Sequence, residues 1–278
     1  MRGADARVSH RLQHASTVLA ALTNGDIAPE APYIRVLGRV EVLGLRSTKQ
    51  EPRRRQLTEV ATWLVLHPGS TRMQFDDAIW GEGVRVDSQN RNTLMSRTRR
   101  WLGDKPDGSP YLPHITENEY GLDPAVGCDW MEFQQLYRAG FHSSGLDADV
   151  SLAKALALVH GRPFAGTLPN RYTWNEALLQ EMRSAIEDAA HELAQRRLAE
   201  RDYRAAATAA ARGLEAVPES ELLYRDLFEV HAASGDHAGL ARAARRLHDL
   251  NEGLGVDPEE ETVELLETLL KGRRIATA

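Results

Sequence analysis

The amino-acid sequence predicts a mainly α-helical protein with a small β component, divided into two domains. Apolar and polar residues alternate over YIRVLGRVEVLG, residues 33–44, which is typical of short β-strands. From residue 131 onward the apolar residues instead recur at intervals of three and four, which is typical of helices. The length of 278 residues allows each half of the chain to bury a hydrophobic core of its own.

The N-terminal residues 1–32 form a segment of their own. Their apolar residues have helical spacing over 8–23, and the proline-containing stretch 29–32 is typical of a linker. We therefore expect a short helix and a linker ahead of the first domain.

Three helices are predicted after the strands, and two of them have clear start signals. Thr71 and Gln74 can form a capping box, and Asp87 or Ser88 is a good N-cap residue. A hairpin is predicted in the turn-rich region that follows, with strands near 114–116 and 120–122. The three predicted helices are 56–67, 71–80 and 88–102. This order of strand, three helices and hairpin predicts a winged helix over residues 33–128.

The second half contains a weak internal repeat of 34 residues. The tripeptide RDY at 201–203 recurs as GDH at 235–237, and each joins two predicted helices. Thirty-four residues is about the period of tetratricopeptide (TPR) repeats, in which pairs of helices stack. We therefore predict an all-α, TPR-like helical repeat domain over residues 129–278.

The net charge of −6 is unevenly distributed along the chain. Residues 33–130 contain 14 Lys and Arg against 13 Asp and Glu, whereas residues 131–278 contain 17 against 24. The basic residues of the first half are grouped at 53–55 and 97–100. The acidic second half is therefore unsuited to DNA and suited to protein partners, and the first half gives weak support for a DNA-binding face.

Enzyme, metal and membrane functions find little support. The sequence has no Gly-rich phosphate loop and no metal-binding His spacing, so we expect no catalysis, no cofactor and no metal site. Cys128 has no basic neighbour that would activate its thiol, and as the only cysteine it cannot form an internal disulfide. No apolar stretch approaches the ~20 residues that span a bilayer. We expect a cytoplasmic protein whose chain makes no membrane contact.

The segments RVLGRVEVLG, WGEG and NRNTLMSRTRRWLG resemble the DNA-binding domain of the SARP family (Streptomyces antibiotic regulatory proteins). The stretch from about residue 129 is similar to the bacterial transcriptional activator domain (BTAD) of that family, as in HGRPFAG, AAHELA and LGVDPEEET. QLTEVATWLVLHPG and GSPYLP add a particular likeness to the C-terminal region of actinobacterial LysM/BTAD proteins.

The resemblance implies a sequence-specific transcription regulator that binds double-stranded DNA. It places the third helix in the major groove, where Asn92, Ser96 and Arg99 would read bases with Arg91 and Met95 beside them. The other arginines of the two basic groups would bind phosphates. The helical domain would dimerise, receive a signal or contact RNA polymerase. The expected DNA-binding residues are Arg53, Arg54, Arg55, Arg91, Asn92, Met95, Ser96, Arg97, Arg99 and Arg100.

An alternative hypothesis is a signalling or scaffold module that does not bind DNA. The predicted wing tip, TENEY at 116–120, carries two carboxylates where a phosphate would lie, and arginine runs are also common on solvated helices. In this hypothesis the winged helix and the TPR array form a protein-docking surface, as the cytoplasmic part of a membrane-anchored protein.

Overall fold

Strands and helices follow one another in the N-terminal part of the computed structural model in the order that the sequence predicts. The elements in chain order are β1 (Tyr33–Arg35), β2 (Glu41–Leu43), α1 (Arg54–Leu66), β3 (Ser70–Thr71), α2 (Arg72–Trp80), α3 (Ser88–Leu102), β4 (Glu119–Tyr120) and β5 (Gly127–Cys128). The structure describes residues 31–45, 53–114, 119–168 and 170–276. The predicted N-terminal helix over 8–23 lies outside these residues.

The remaining elements are helical. They are α4 (Asp129–His142), α5 (Leu146–Ala157), a 3-10 helix (Thr173–Asn175), α6 (Glu176–Ala199), α7 (Tyr203–Ala216), α8 (Glu221–Ser234), α9 (His237–Leu254) and α10 (Glu260–Ala276). The prediction of a mainly α protein, with a small β component in an N-terminal winged helix and a helical domain after it, is confirmed.

The described residues form two compact units, and the chain passes between them more than once. The first unit, here the winged-helix unit, extends to Glu132 and includes Gly161–Met182. The second, the helical unit, comprises Phe133–His160 and the residues from Arg183 onward. The predicted domain limits, 33–128 and 129–278, stay a prediction of where each domain begins along the sequence, because a compact unit is defined by packing alone.

A three-stranded sheet in the order β2-β1-β5 opens the winged-helix unit. β1 pairs antiparallel with β2, which places the buried Ile34 opposite Val42, and pairs in parallel with β5. A Cβ on Gly127 would lie 2.5 Å from Cδ2 of Tyr33, so the β1–β5 pairing requires glycine at this position. Sequence reasoning did not predict β5, since two residues are too few to show alternation.

The strand predicted near 120–122 exists as β4, and among the described residues its partner is β3. Ser70 pairs with Tyr120 and Thr71 with Glu119, and the rings of Tyr120 and Phe75 stack with centroids 4.9 Å apart. Residues 115–118 lie outside the described part of the chain, so the predicted strand near 114–116 is not described as a whole.

Both predicted helix starts in the winged-helix unit are confirmed. The Thr71 side chain accepts a hydrogen bond from the Gln74 backbone N–H, and the Gln74 side chain accepts one from the Thr71 N–H, which completes the capping box of α2. The Asp87 carboxylate accepts a hydrogen bond from the Gln89 N–H at 3.3 Å at the start of α3. These local contacts fix where the two helices begin.

The 34-residue repeat has a structural counterpart in the helical unit. Asp202 caps α7 by accepting a hydrogen bond from the Ala205 N–H, and Asp236 caps α9 through the Gly239 N–H. The residues before the two caps, Arg201 and Gly235, both have left-handed backbones, with φ of 63° and 74°. The two helix junctions therefore share one geometry, as a repeat of supersecondary units requires.

Across the described residues, no helix combines the length and the apolar character that crossing a membrane requires.

Candidate nucleic-acid interface

One face of α3 is polar and open to solvent. Its side chains line a shallow depression along the helix surface, and they recur at helical spacing over three turns. Their amides and hydroxyls can donate and accept hydrogen bonds, and two guanidinium groups lie toward the C-terminal end of the helix. The lining residues are Ser88, Gln89, Asn92, Thr93, Ser96, Arg97 and Arg100. We call this surface the α3 polar face.

Of the residues predicted to lie on the outward side of α3, Asn92 and Ser96 are exposed on the α3 polar face. Arg100 is exposed and Arg97 half-buried at its C-terminal end. Sequence reasoning missed Thr93, although its position next to Asn92 on the helix could have indicated it. The structure therefore brings together four of the predicted residues on one side of a single helix.

The predicted placement of Arg91 beside this face is wrong. Arg91 is buried, and its Nε donates a hydrogen bond to Asp76 Oδ1 at 2.7 Å, while an Nη nitrogen binds the second carboxylate oxygen of Asp76. This hydrogen bonding raises the pKa of Arg91. A guanidinium held in a two-point ion pair joins α3 to α2 and is not available to a base edge.

The predicted placement of Met95 is also wrong. Met95 is 3% exposed and belongs to the core, as do Leu94 and Trp101. The buried Thr98 has its hydroxyl hydrogen-bonded to the Leu94 carbonyl at 3.0 Å, which explains why a polar residue is accommodated on the inner face.

Arg99 lies between the two faces of α3. Its Nε donates to the Leu112 carbonyl at 2.8 Å and its Nη2 to the Pro113 carbonyl at 3.0 Å, and burial lowers the pKa of the guanidinium. The N–H groups of Arg99 that could bind a guanine therefore already donate to backbone carbonyl groups of the protein. Arg99 anchors the segment after α3 and does not lie on the α3 polar face.

The arginines at the start of α1 do not lie on this face either. Arg53, Arg54 and Arg55 are exposed. Arg54 and Arg55 line a separate cavity together with Arg39 and Arg171, two residues that sequence reasoning did not single out. The winged-helix unit therefore has two basic surfaces, the α3 polar face and this cavity.

Cys128 and Asp129 are two neighbouring buried titratable groups among the described residues. No group of three His, Cys, Asp or Glu side chains in that part of the chain could hold a metal ion. Cys128 is buried, which raises the pKa of its thiol and keeps it neutral. Burial also raises the pKa of Asp129 to about 7, while the carboxylate accepts hydrogen bonds from the Val36 and Leu37 N–H groups, each at 2.9 Å. Asp129 thus ties the end of β1 to the start of α4.

Comparisons with known proteins agree with this architecture. The solved structure of Mycobacterium tuberculosis EmbR in complex with a low affinity phosphopeptide is similar, with a TM-score of 0.57 and 19% sequence identity. The match covers 87% of this chain, which spans 65% of the length of the EmbR chain. Comparison with curated protein sequences gives no match. A family model described as the bacterial transcriptional activator domain matches residues 128–270. Because that model covers more than half of the chain, the protein belongs to the bacterial transcriptional activator domain family of SARP-type transcriptional regulators.

Proposed function

We propose that this chain is a sequence-specific, DNA-binding transcription regulator that acts in the cytoplasm and inserts α3 into the major groove. The observation that supports this proposal is the α3 polar face, an exposed helix surface made only of amide, hydroxyl and guanidinium side chains. A major groove admits an α-helix, and its base edges present hydrogen-bond donors and acceptors that such side chains complement.

The residues of the face take different roles. Asn92 is suited to a two-point contact with adenine, worth about 1–3 kcal/mol of discrimination against other bases. Ser96 is suited to either a donor or an acceptor on the neighbouring base pair. Arg97 and Arg100 bind phosphates, which position the helix without reading sequence. Arg91, Met95 and Arg99 contribute by holding α3 in place.

The helical unit takes the role of partner contact, either with a second copy of the chain or with RNA polymerase. Four exposed apolar side chains lie at the end of α9, in the segment after it and on α10, where they are available to a partner. These residues are Leu254, Val256, Val263 and Leu270.

Binding of the full chain to fragmented genomic DNA across a salt series tests the proposal. Wild-type protein is expected to bind selected fragments with an affinity that falls steeply with salt, and Asn92→Ala is expected to lose selectivity. Arg204→Ala is a matched control, because Arg204 is exposed in the helical unit. Absence of selective binding at low salt would contradict DNA recognition by this chain alone.

A second candidate function is protein docking without DNA. Two observations favour it: the guanidinium groups of Arg91 and Arg99 are satisfied within the protein, and Glu119 is exposed on β4. A carboxylate on that strand would repel a phosphate. If this function holds, charge reversal at Arg100 should change protein–protein binding and leave DNA binding at its non-specific level.

A further inference from the structure

A second basic surface lies in the winged-helix unit, at a distance along the chain from α3. It is a cavity of about 660 Å³, and its basic lining residues are Arg39, Arg54, Arg55 and Arg171. We call it the arginine cavity. Val42 and Leu168 contribute apolar walls. Its volume falls within the ~300–1,000 Å³ typical of small-molecule sites, and a few cations on partly apolar walls are typical of such sites.

Arg39 is held in place by a segment from much later in the chain. The Ala165 N–H donates to the Gly38 carbonyl at 2.9 Å, and the Val40 N–H donates to the Ala165 carbonyl at 3.2 Å. Gly166 follows with a left-handed backbone, φ 76°, and a Cβ there would lie 3.5 Å from Cγ of Arg39. A Cβ at that distance would be in ordinary van der Waals contact, so the left-handed backbone, and not a lack of space, favours glycine beside the Arg39 side chain.

The Arg171 side chain is held by the buried carboxylate of Glu59. Glu59 of α1 is 2% exposed, and it accepts one hydrogen bond from Arg171 Nη1 and another, at 3.0 Å, from the Tyr172 backbone N–H. The Arg171 side chain is 32% exposed and is part of the cavity lining. Because Glu59 is neutralised by Arg171, its negative charge does not balance the other three arginines of the cavity, which are Arg39, Arg54 and Arg55.

The charge around the cavity is unbalanced. Arg39, Arg54 and Arg55 form no ion pair with any residue that the structure describes, and Glu41, also in the lining, already pairs with Arg35 at 3.4 Å. The first turn of α1 has no acidic residue. Cations at the positive end of a helix repel its dipole, so this arrangement is unfavourable until an anion occupies the cavity.

We propose that the arginine cavity binds a phosphorylated small molecule. Guanidinium groups match phosphate oxygens with paired hydrogen bonds, and four arginines line this cavity together with apolar side chains. A free phosphorylated compound fits a concave site of this volume better than a duplex backbone, which presents its phosphates on a convex surface. The proposal goes beyond the proposed function and holds whether or not α3 binds DNA.

Calorimetric titration of the full chain with inorganic pyrophosphate, at constant ionic strength, tests the proposal. Saturable binding with one site per chain is expected. Arg39→Gln and Arg55→Gln should each weaken it roughly tenfold, because each removes a charge-assisted hydrogen-bonding group from the anion. Arg39→Lys should restore part of the affinity that Arg39→Gln loses, since lysine keeps the positive charge but lacks the paired N–H donors of a guanidinium group.

Two controls separate the cavity from general electrostatics and from DNA binding. Arg204→Gln removes an exposed arginine of the helical unit, and it should leave pyrophosphate affinity within about twofold. Circular dichroism checks that each variant is folded. No binding of pyrophosphate to wild-type protein, or an equal loss in Arg39→Gln and Arg204→Gln, would overturn the proposal. Loss of duplex affinity in Arg39→Gln without pyrophosphate binding would also overturn it, and would assign the cavity to the DNA backbone.

Discussion

The two units of the molecule use their arginines differently. In the helical unit several arginines bind carboxylates: Arg183 pairs with Glu219, Arg196 with Asp149 and Glu192, Arg197 with Asp149, Arg212 with Glu215 and Arg225 with Glu259. On the surface of the winged-helix unit, seven arginines have no ion-pair partner among the described residues, besides Arg99, whose guanidinium binds backbone carbonyls. They are Arg39, Arg53, Arg54, Arg55, Arg85, Arg97 and Arg100.

The difference indicates which arginines hold the fold and which are available to a ligand. A guanidinium paired with a buried carboxylate cannot leave it without exposing an uncompensated charge. An exposed and unpaired guanidinium costs the fold little when it is removed, because isolated surface charges contribute little stability. In the winged-helix unit Arg91, paired with Asp76, and Arg171, paired with the buried Glu59, belong by this criterion with the structural arginines.

The largest effect is expected for the most buried pair. Arg197 is 1% exposed and Asp149 is 2% exposed. Arg197→Met should lower the free energy of unfolding by about 3–5 kcal/mol, because it leaves the Asp149 carboxylate buried with a weaker partner. Urea unfolding followed by circular dichroism measures this. Arg204→Met is the exposed control, and an equal loss in both variants would contradict the distinction.

A smaller loss of stability is expected at the structural arginine of α3. Arg91→Met should lower the free energy of unfolding by roughly 2 kcal/mol, less than at Arg197 because Asp76 is 14% exposed and water can partly solvate it. If Arg91 is structural, the folded variant keeps its DNA affinity within about twofold. A loss of base selectivity as large as that of Asn92→Ala, measured on the folded variant, would make Arg91 a reading residue instead.

Removal of an unpaired arginine should affect DNA and not stability. Arg100→Ala is expected to change the free energy of unfolding by no more than about 0.5 kcal/mol. The slope of log affinity against log salt concentration should become shallower by about one, because one phosphate contact is lost. Titrations of labelled duplex at several salt concentrations measure the slope. An unchanged slope would remove Arg100 from the interface.

The smallest change in stability is expected at Arg201, an arginine whose backbone adopts a conformation that favours glycine. Arg201 has a left-handed backbone, whereas Gly235 fills the corresponding place in the second copy of the junction. Arg201→Gly should raise the free energy of unfolding by about 0.5 kcal/mol, since relief of backbone strain slightly exceeds the entropy that glycine adds to the unfolded chain. Thermal unfolding measures the change. Arg204→Gly, inside α7, should instead destabilise by about 1 kcal/mol.

The sequence predicts the parts of this fold that depend on near neighbours. The capping box of Thr71 and Gln74 and the cap at Asp87 were found because each joins residues two or three positions apart. The repeated caps at 202 and 236 follow from the same local pattern. The succession of strands and helices in the winged-helix unit is predictable for this reason.

The residues that sequence reasoning misplaced are those whose partners come from elsewhere. The burial of Arg91 depends on Asp76 of another helix, and the engagement of Arg99 depends on carbonyl groups 13 and 14 residues away. Helical periodicity separates the two faces of α3 but does not decide positions at their border. The arginine cavity could not be predicted from the sequence, because Arg171 and Glu59 lie 112 residues apart.

The return of residues 161–182 to the winged-helix unit limits how such a protein can be rearranged by recombination. The family model begins at residue 128 and contains this segment, whose Arg171 and Tyr172 supply the hydrogen bonds of Glu59. A gene fusion joined at that point would give the winged helix a foreign segment and leave a buried carboxylate without its partners. Exchange between relatives should therefore preserve both sides of the junction together, so that the winged-helix unit and the helical unit are inherited as one piece.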